Sequence, residues 1–196
     1  GNTPCAGEFS YEIVHRAISD FAGLSHDEKP YPYMSRLPSR PPVLCAGCPH
    51  RASFYAVKKA MRGQKAVFTG DIGCYTLGNA KPLNMVDTCL CMGASIGVAQ
   101  GIKRVEPETK LFAFIGDSTF FHTGIPGVVN AVYNQTDITV VVLDNRTTAM
   151  TGHQPHPGTG KTMMGNESEK VDIEAVLKAI GVKWVRKINP FDHENA

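Results

Sequence analysis

The chain has 196 residues, of which 42% are hydrophobic and 19% are charged. These proportions are typical of a globular domain and exclude a wholly disordered, collagen-like or coiled-coil protein. The formal net charge of +2 is too small to indicate a nucleic-acid-binding surface. No apolar segment is long enough to span a membrane, so we expect neither nucleic acid nor a membrane among the partners.

The six cysteines are too few for a disulfide scaffold, and five of them lie between residues 45 and 91. The N-terminus has no charged-then-apolar secretion signal. We therefore interpret the thiols as reduced and expect a cytoplasmic location.

The first 42 residues differ in character from the rest. Apolar residues at helical spacing predict a helix over residues 8–22, which Gly23 ends. Five prolines between residues 24 and 42 then predict an extended linker. We expect an N-terminal helix and linker over residues 1–42 and a compact domain over residues 43–196.

Strands and helices alternate through the second part. The sequence predicts helices at Pro49–Met61, Gly93–Arg104, Ile125–Asn134 and Asp172–Ile180. It predicts strands at Ala66–Thr69, Leu111–Ile115, Ile138–Leu143 and, at the start of another strand, Lys183–Val185. Apolar strands alternating with helices indicate an α/β fold, a parallel sheet with helices on both faces.

Two predicted strands end in polar residues. The first continues into Gly116-Asp117-Ser118-Thr119, and the second into Asp144-Asn145-Arg146-Thr147. One crossover helix separates the two strands, so their ends are expected side by side at the edge where ligands bind in open parallel sheets.

These polar residues are suited to a divalent cation. Asp117 offers a carboxylate, Asn145 an amide oxygen and Thr147 a backbone carbonyl, which are the hard oxygen ligands that Mg²⁺ prefers. Ser118 and Thr119 add hydroxyl and N–H groups that suit phosphate oxygens. The pattern therefore predicts a metal-bridged diphosphate site.

The same residues resemble the thiamine diphosphate motif, which begins Gly-Asp-Gly and closes with Asn-Asn. Here Gly116-Asp117-Ser118 forms the start and Asp144-Asn145 the end. The chain departs from the motif at Ser118 and Asp144, and neither change removes a metal-facing oxygen.

Three further stretches narrow the resemblance. Residues 45–51 (CAGCPHR), 70–74 (GDIGC) and 91–95 (CMGAS) are similar to the 2-oxoacid:ferredoxin oxidoreductases, and within that family to the alpha subunits of the indolepyruvate type. The similarity covers about residues 40–196, and the segment at Gly7–Gly23 also resembles the stretch that precedes this domain. It implies the thiamine-diphosphate-binding fold, as the diphosphate-binding module.

The resemblance also implies roles for individual residues. Two stretches would line the cofactor, Gly73-Cys74-Tyr75 and Met92-Gly93-Ala94. Gly116, Ser118 and Thr119 would contact the diphosphate, Ala149 and Met150 would belong to a closing loop, and Asp117, Asn145 and Thr147 would hold Mg²⁺.

The implied reaction is oxidative decarboxylation of an aryl 2-oxoacid such as indolepyruvate, with the acyl group passed to coenzyme A and electrons to ferredoxin. The catalytic residues remain unknown, because the glutamate that relays protons in such enzymes belongs to a separate pyrimidine-binding domain with no match here. Iron–sulfur clusters are expected elsewhere in the full protein. We therefore expect an excised piece of a longer protein that is inactive alone and works with a second subunit in a homo- or hetero-oligomer.

Cys45, Cys48 and Cys74 leave an alternative open. They match three cluster-binding cysteines of related enzymes, but the fourth has no counterpart, so we favour reduced thiols over an iron–sulfur or zinc site. Two other functions compete with the main one: a non-oxidative thiamine diphosphate decarboxylase or synthase module, and a non-catalytic cysteine-ligated metal or iron–sulfur domain.

Residues 151–168 are rich in glycine and proline. The sequence Gly158-Thr-Gly-Lys-Thr162 imitates the end of a P-loop, but Pro155 stands where the first glycine is required and no strand precedes it. We predict a mobile loop over the cofactor, with His153 and His156 exposed to solvent.

Overall fold

The computed structural model describes residues 4–26, 38, 40–192, 194 and 196. The chain consists of two compact units, and the boundary between them falls between Pro41 and Pro42. Most of the predicted proline-rich linker lies outside the described residues.

The first unit contains α1, Tyr11–Ala22. Ser10 caps its N-terminus, since the side chain accepts a hydrogen bond from the Ile13 N–H. Gly23 ends the helix with φ of 66°, a left-handed conformation that glycine adopts at little cost. The predicted stop at Gly23 is confirmed.

Three parallel strands form the sheet of the second unit, in the order β1 (Ala66–Thr69), β2 (Lys110–Gly116) and β3 (Thr139–Leu143). Gly116 is the register partner of Leu143, so β2 and β3 end at the same level. The polar residues after both strands therefore follow neighbouring strand ends, as predicted.

The helices of this unit confirm the four predicted ones to within about two residues at their ends. The four are α2 (Pro49–Ala60), α3 (Ala94–Val105), α5 (Ile125–Tyr133) and α6 (Ile173–Ile180), and a short helix that was not predicted, α4 (Asp117–Thr119), follows β2. A π-helical segment at Phe120–Gly124 joins α4 to α5, and 3₁₀ turns occupy Cys74–Asn79 and Ala149–Thr151. The sequence analysis did not predict these three segments.

Successive residues of β2 point to opposite faces of the sheet. On one face Phe114 packs against Phe54 of α2, with ring centroids 4.7 Å apart. On the other face Leu111 and Ile115 join a core cluster that includes residues of α3, α5 and α6. Helices therefore cover both faces, which confirms the predicted α/β architecture.

The predicted strand at Lys183–Val185 is wrong, because these residues form no strand. Val182 packs against the core, but the side chain of Trp184 is 67% exposed. The apolar residues that suggested a strand therefore lie outside the three-stranded sheet. Among the described residues, no helix combines the length and apolar character needed to cross a bilayer.

Candidate functional site

Asp117 lies at the end of the central strand and is 2% exposed. Its Oδ1 accepts a hydrogen bond from the Ser118 N–H at 2.8 Å, and its Oδ2 accepts one from the Arg146 N–H at 2.6 Å. The carboxylate thus joins the turn after β2 to the turn after β3. A continuous helical segment, residues 117–133, begins at this residue.

Burial raises the pKa of Asp117 above its ordinary value. The N–H groups of Ser118 and Arg146 and the side chain of His156 act in the opposite direction, while the nearby Asp144 raises the pKa further. The protein's own groups therefore leave the charged carboxylate under-compensated. A divalent cation would supply the missing positive charge.

The turn after β3 is organised by its own side chains. Asn145 Oδ1 accepts from the Thr147 N–H at 3.3 Å, an Asx-type contact, and Arg146 adopts φ of 58°. Thr148 donates from its hydroxyl to Ser118 Oγ at 2.9 Å. These bonds bring the turn that contains Asn145 and Thr147 next to Asp117 and Ser118, as the sequence predicted for two neighbouring strand ends.

Tyr75 supports the turn after β2 from behind. Its hydroxyl donates to the Ile72 carbonyl at 3.0 Å and accepts from the Thr119 hydroxyl, also at 3.0 Å. Burial is the main cause that raises the pKa of Tyr75 to about 12. The ring packs so closely that a Cβ at either Gly73 or Gly116 would lie 2.5 Å from its Cε1 atom.

Asp71 is a buried residue that the sequence analysis did not assign to the site. It follows β1 and is 0% exposed, and its Oδ1 accepts from the N–H groups of Ile72 and Gly93, each at 2.7 Å. Its Oδ2 has no partner among the described residues, and burial raises its pKa. The repeated Gly-Asp pair, at residues 70–71 and 116–117, was the available signal.

The second predicted cofactor-lining stretch precedes and begins α3. Gly93 has φ of 87°, and a Cβ there would lie 2.1 Å from the Thr123 hydroxyl, so only glycine fits. Met92 is 44% exposed, and Ala94 is the first residue of α3. The bond from Gly93 to Asp71 ties this stretch to the residues that follow β1.

Ala149 and Met150 follow Thr148, the residue that bonds to Ser118, and begin a short 3₁₀ turn. Met150 is 51% exposed. Among the described residues, neither side chain is hydrogen-bonded to the Asp117 turn, so their predicted part in a closing loop stays a prediction.

The expectation for His156 is wrong, because this side chain is buried, with Nε2 at 3.1 Å from Asp117 Oδ2. His153 is exposed as expected, and its Nδ1 lies 3.2 Å from the Thr147 hydroxyl. No local pattern signals the difference, because it depends on a contact between residues 39 positions apart.

Cys45, Cys48 and Cys74 are free thiols, the first exposed and the other two half-buried. Burial raises the pKa of Cys74, and the neighbouring Cys48 and Cys45 thiols raise it further. Within the part of the chain that the structure describes, no three histidine, cysteine or acidic side chains are arranged to hold a metal ion.

An α/β domain with buried carboxylates at its strand ends has the features of a cofactor-binding domain. The family profile "Thiamine pyrophosphate enzyme, C-terminal TPP binding domain" matches residues 71–196. The chain belongs to this family of thiamine-diphosphate-binding domains.

Curated relatives carry the resemblance further. The chain is 52% identical over 159 residues to the indolepyruvate oxidoreductase subunit IorA of Archaeoglobus fulgidus, covering 81% of this chain and 25% of the relative. It is 46% identical over 197 aligned positions to IorA of Methanothermobacter marburgensis, covering 98% of this chain and 32% of the relative. The predicted resemblance to the indolepyruvate type is confirmed.

More distant proteins are similar to part of this chain. The 2-oxoglutarate synthase subunit KorB of A. fulgidus is 31% identical over 161 residues, covering 77% of this chain and 60% of the relative. A solved 2-oxoglutarate:ferredoxin oxidoreductase from Magnetococcus marinus superposes with a TM-score of 0.60 at 20% identity, over 74% of this chain and 53% of that chain. This likeness confirms the fold. The chain spans only a quarter to a third of the IorA relatives.

Proposed function

We propose that this chain is the diphosphate-binding domain of a 2-oxoacid:ferredoxin oxidoreductase that uses thiamine diphosphate and Mg²⁺. The observation that supports this most directly is the buried Asp117 carboxylate, bonded at 2.6 Å to the N–H of Arg146 in the turn after the neighbouring strand. The identity of 44–52% to indolepyruvate oxidoreductase subunits supports indolepyruvate or a related aryl 2-oxoacid as the substrate.

In this proposal Asp117, Asn145 and the Thr147 carbonyl hold Mg²⁺. All three offer the hard oxygen ligands that Mg²⁺ takes. The fit rests on the buried Asp117 carboxylate, whose Oδ1 accepts only the Ser118 N–H, and burial raises the pKa of this group. Bound Mg²⁺ would lower that pKa and keep the carboxylate ionised.

The diphosphate lies against Gly116, Ser118 and Thr119. These residues stand at the beginning of the helical segment 117–133, where the helix dipole favours a negative group. Ser118 also supplies a hydroxyl, which the bond from Thr148 holds in place.

The remaining cofactor contacts come from residues after two strands and at the start of one helix. They are Gly73, Cys74 and Tyr75 after β1, Met92, Gly93 and Ala94 at the start of α3, and Ala149 and Met150 after β3. When bound, thiamine diphosphate supplies the nucleophilic carbon and the electron sink for decarboxylation. The residues of this chain bind and orient the cofactor, while the proton-relay glutamate comes from a pyrimidine-binding domain outside it.

The complete enzyme passes the acyl group to coenzyme A and electrons, through iron–sulfur clusters elsewhere in the protein, to ferredoxin. Further domains and a second subunit complete the site, and we place the enzyme in the cytoplasm. The relatives support further domains, because this chain covers no more than 32% of the IorA sequences.

Calorimetric titration of the full-length protein with thiamine diphosphate and Mg²⁺ tests the cofactor site. We expect Mg²⁺-dependent binding that Asp117→Ala weakens at least about tenfold, the usual effect of disturbing a metal site. Asp137→Ala is a matched control, because the Asp137 side chain is 95% exposed. Equal affinity in wild type and Asp117→Ala would remove Asp117 from the metal site.

Turnover distinguishes the oxidative enzyme from a non-oxidative decarboxylase. The complete enzyme should release carbon dioxide from indolepyruvate only with coenzyme A and a one-electron acceptor, and the isolated 196-residue chain should not turn over. Release of carbon dioxide and an aldehyde without any electron acceptor would favour the non-oxidative alternative.

A further inference from the structure

The loop between the second 3₁₀ turn and α6 is mostly exposed. Over residues 151–172, all of which the structure describes, His156 alone is classed as buried, with 8% of its surface accessible. Loop residues are normally solvated. A single buried histidine in such a segment indicates that the side chain anchors the loop to the domain.

The hydrogen bonds of His156 define its tautomer. Its Nδ1 accepts from the Gly158 N–H at 3.2 Å, and a peptide N–H can only donate. The proton of the neutral ring therefore lies on Nε2. Nε2 is 3.1 Å from Asp117 Oδ2, and it has no well-directed hydrogen bond among the described residues.

A buried N–H without an acceptor is unfavourable, because it has lost its hydrogen bond to water. Asp117 Oδ2 lies 3.1 Å from Nε2. A small rotation of the imidazole ring would direct the Nε2–H at this oxygen and give it an acceptor. The ring is also supported from the side, because it stacks on Phe121 with centroids 5.8 Å apart and an interplanar angle of 30°.

The two oxygens of Asp117 are not equivalent. Oδ2 receives the Arg146 N–H at 2.6 Å and faces His156, whereas Oδ1 receives only the Ser118 N–H at 2.8 Å. Each carboxylate oxygen has two lone pairs. Oδ2 is therefore used by the protein, and Oδ1 keeps a free lone pair.

We propose that His156 is a positioning residue of the metal site: it holds Oδ2 of Asp117, leaves Oδ1 to meet Mg²⁺, and thereby anchors the loop over residues 151–172 to that site. This inference rests on the proposed function, because it requires Asp117 to be a Mg²⁺ ligand. Side chains that hydrogen-bond to a metal ligand commonly set the orientation of that ligand.

Three substitutions of His156 separate the contributions of Nε2, of Nδ1 and of stacking on Phe121. His156→Gln can place an amide N–H near the position of Nε2, His156→Asn can restore only a group near Nδ1, and His156→Phe keeps the stacking on Phe121 but removes both nitrogens. Titration of the full-length protein with Mg²⁺ at saturating thiamine diphosphate measures metal affinity. We expect affinity within about threefold of wild type for His156→Gln, and a loss of about 10–100-fold for the other two.

Limited trypsin digestion at Lys161, in the exposed part of the loop, gives a second readout. We expect Mg²⁺ with thiamine diphosphate to slow cleavage in wild type and His156→Gln but not in His156→Asn or His156→Phe. His15→Gln is the matched control, because His15 is exposed in α1, and it should behave as wild type.

The outcomes are distinguishable. If wild type binds and all three variants keep Mg²⁺ affinity, or lose it only in proportion to their stability in denaturant without metal, His156 is merely structural and the inference is overturned. A loss in His156→Gln equal to that in His156→Phe also overturns it. If wild type itself shows no Mg²⁺-dependent binding, the proposed function fails first.

Discussion

The hydroxyl of Tyr75 lies 3.0 Å from that of Thr119, although the two residues are 44 positions apart in the chain. Tyr75 follows β1 and Thr119 follows β2, so this contact joins two strand ends beneath the candidate diphosphate site. The Tyr75 proton goes to the Ile72 carbonyl, which fixes the direction of the bond from Thr119.

Tyr75→Phe should lower the free energy of unfolding by about 1–3 kcal/mol, because it leaves the Ile72 carbonyl and the Thr119 hydroxyl without their partner. Chemical denaturation measures the change. Tyr133→Phe is the matched control, since Tyr133 is 83% exposed, and it should change stability by less than about 0.5 kcal/mol. Equal changes in unfolding free energy for the two substitutions would mean that the hydrogen bonds of the Tyr75 hydroxyl do not stabilise the fold.

The difference in stability between wild type and Tyr75→Phe should depend on pH at high pH. The Tyr75 pKa is raised to about 12 in the folded protein, whereas an unfolded tyrosine ionises near pH 10. Between these values the unfolded chain loses its Tyr75 proton more readily, so wild type loses stability relative to Tyr75→Phe as pH rises. A stability difference that stays constant from pH 9 to pH 11.5 would rule out a raised pKa at Tyr75.

Gly116→Ala should destabilise the domain by roughly 1–3 kcal/mol, the usual range for overpacking a well-packed core. The new Cβ would lie 2.5 Å from Tyr75 Cε1, and the ring behind it is buried. Gly97→Ala is the control. Gly97 lies in α3, and a Cβ there would meet no neighbouring atom within 4 Å. That substitution should be neutral or stabilising by up to about 1 kcal/mol, and thermal melts of both variants test the contrast.

The sequence predicts the two neighbouring strand ends because local patterns encode them. Apolar runs stop at Gly116-Asp117 and at Asp144-Asn145, and the chain must turn there whatever the rest of the fold does. The register between Gly116 and Leu143 then brings the two turns together. The prediction of helices α2, α3, α5 and α6 succeeds for the same reason, since periodicity and end signals are local.

Features that depend on distant contacts could not be predicted in this way. Gly93 is required by the Thr123 side chain, and Asp71 bonds to Gly93 across 22 positions. The burial of His156 depends on Phe121 and Asp117. Conversely, the apolar residues near Trp184 predicted a strand that the structure does not contain, because an apolar run does not reveal whether it pairs with the sheet.

The N-cap of α6 is a local feature that sequence and structure share. Asp172 Oδ1 accepts from the Ala175 N–H at 2.7 Å. Asp172→Ala should therefore cost about 1 kcal/mol of stability, and Asp172→Asn, which keeps an acceptor, should cost less. Urea denaturation measures both variants, and equal losses would show that the side-chain oxygen does not cap the helix.

Asp71 offers a test of a buried charge. Asp71→Asn keeps an oxygen that can accept from Ile72 and Gly93, whereas Asp71→Ala removes it and leaves two N–H groups without their acceptor. Burial raises the Asp71 pKa in the folded protein, so the ionised form is disfavoured there relative to the unfolded chain. Asp71→Asn should then be at least as stable as wild type at pH 7, and Asp71→Ala clearly less stable.

The sign of the pH dependence follows from the direction of that shift. Well below the ordinary aspartate pKa of about 3.9, Asp71 is protonated in both the folded and unfolded states, and its ionisation contributes nothing. As the pH rises toward the higher folded-state pKa, the unfolded chain releases its proton first, so wild type loses stability relative to Asp71→Asn. Denaturant titrations at pH 3.5, 5, 6 and 7 measure the difference. A wild type that gains stability relative to Asp71→Asn over this range would mean that the folded protein stabilises the Asp71 carboxylate.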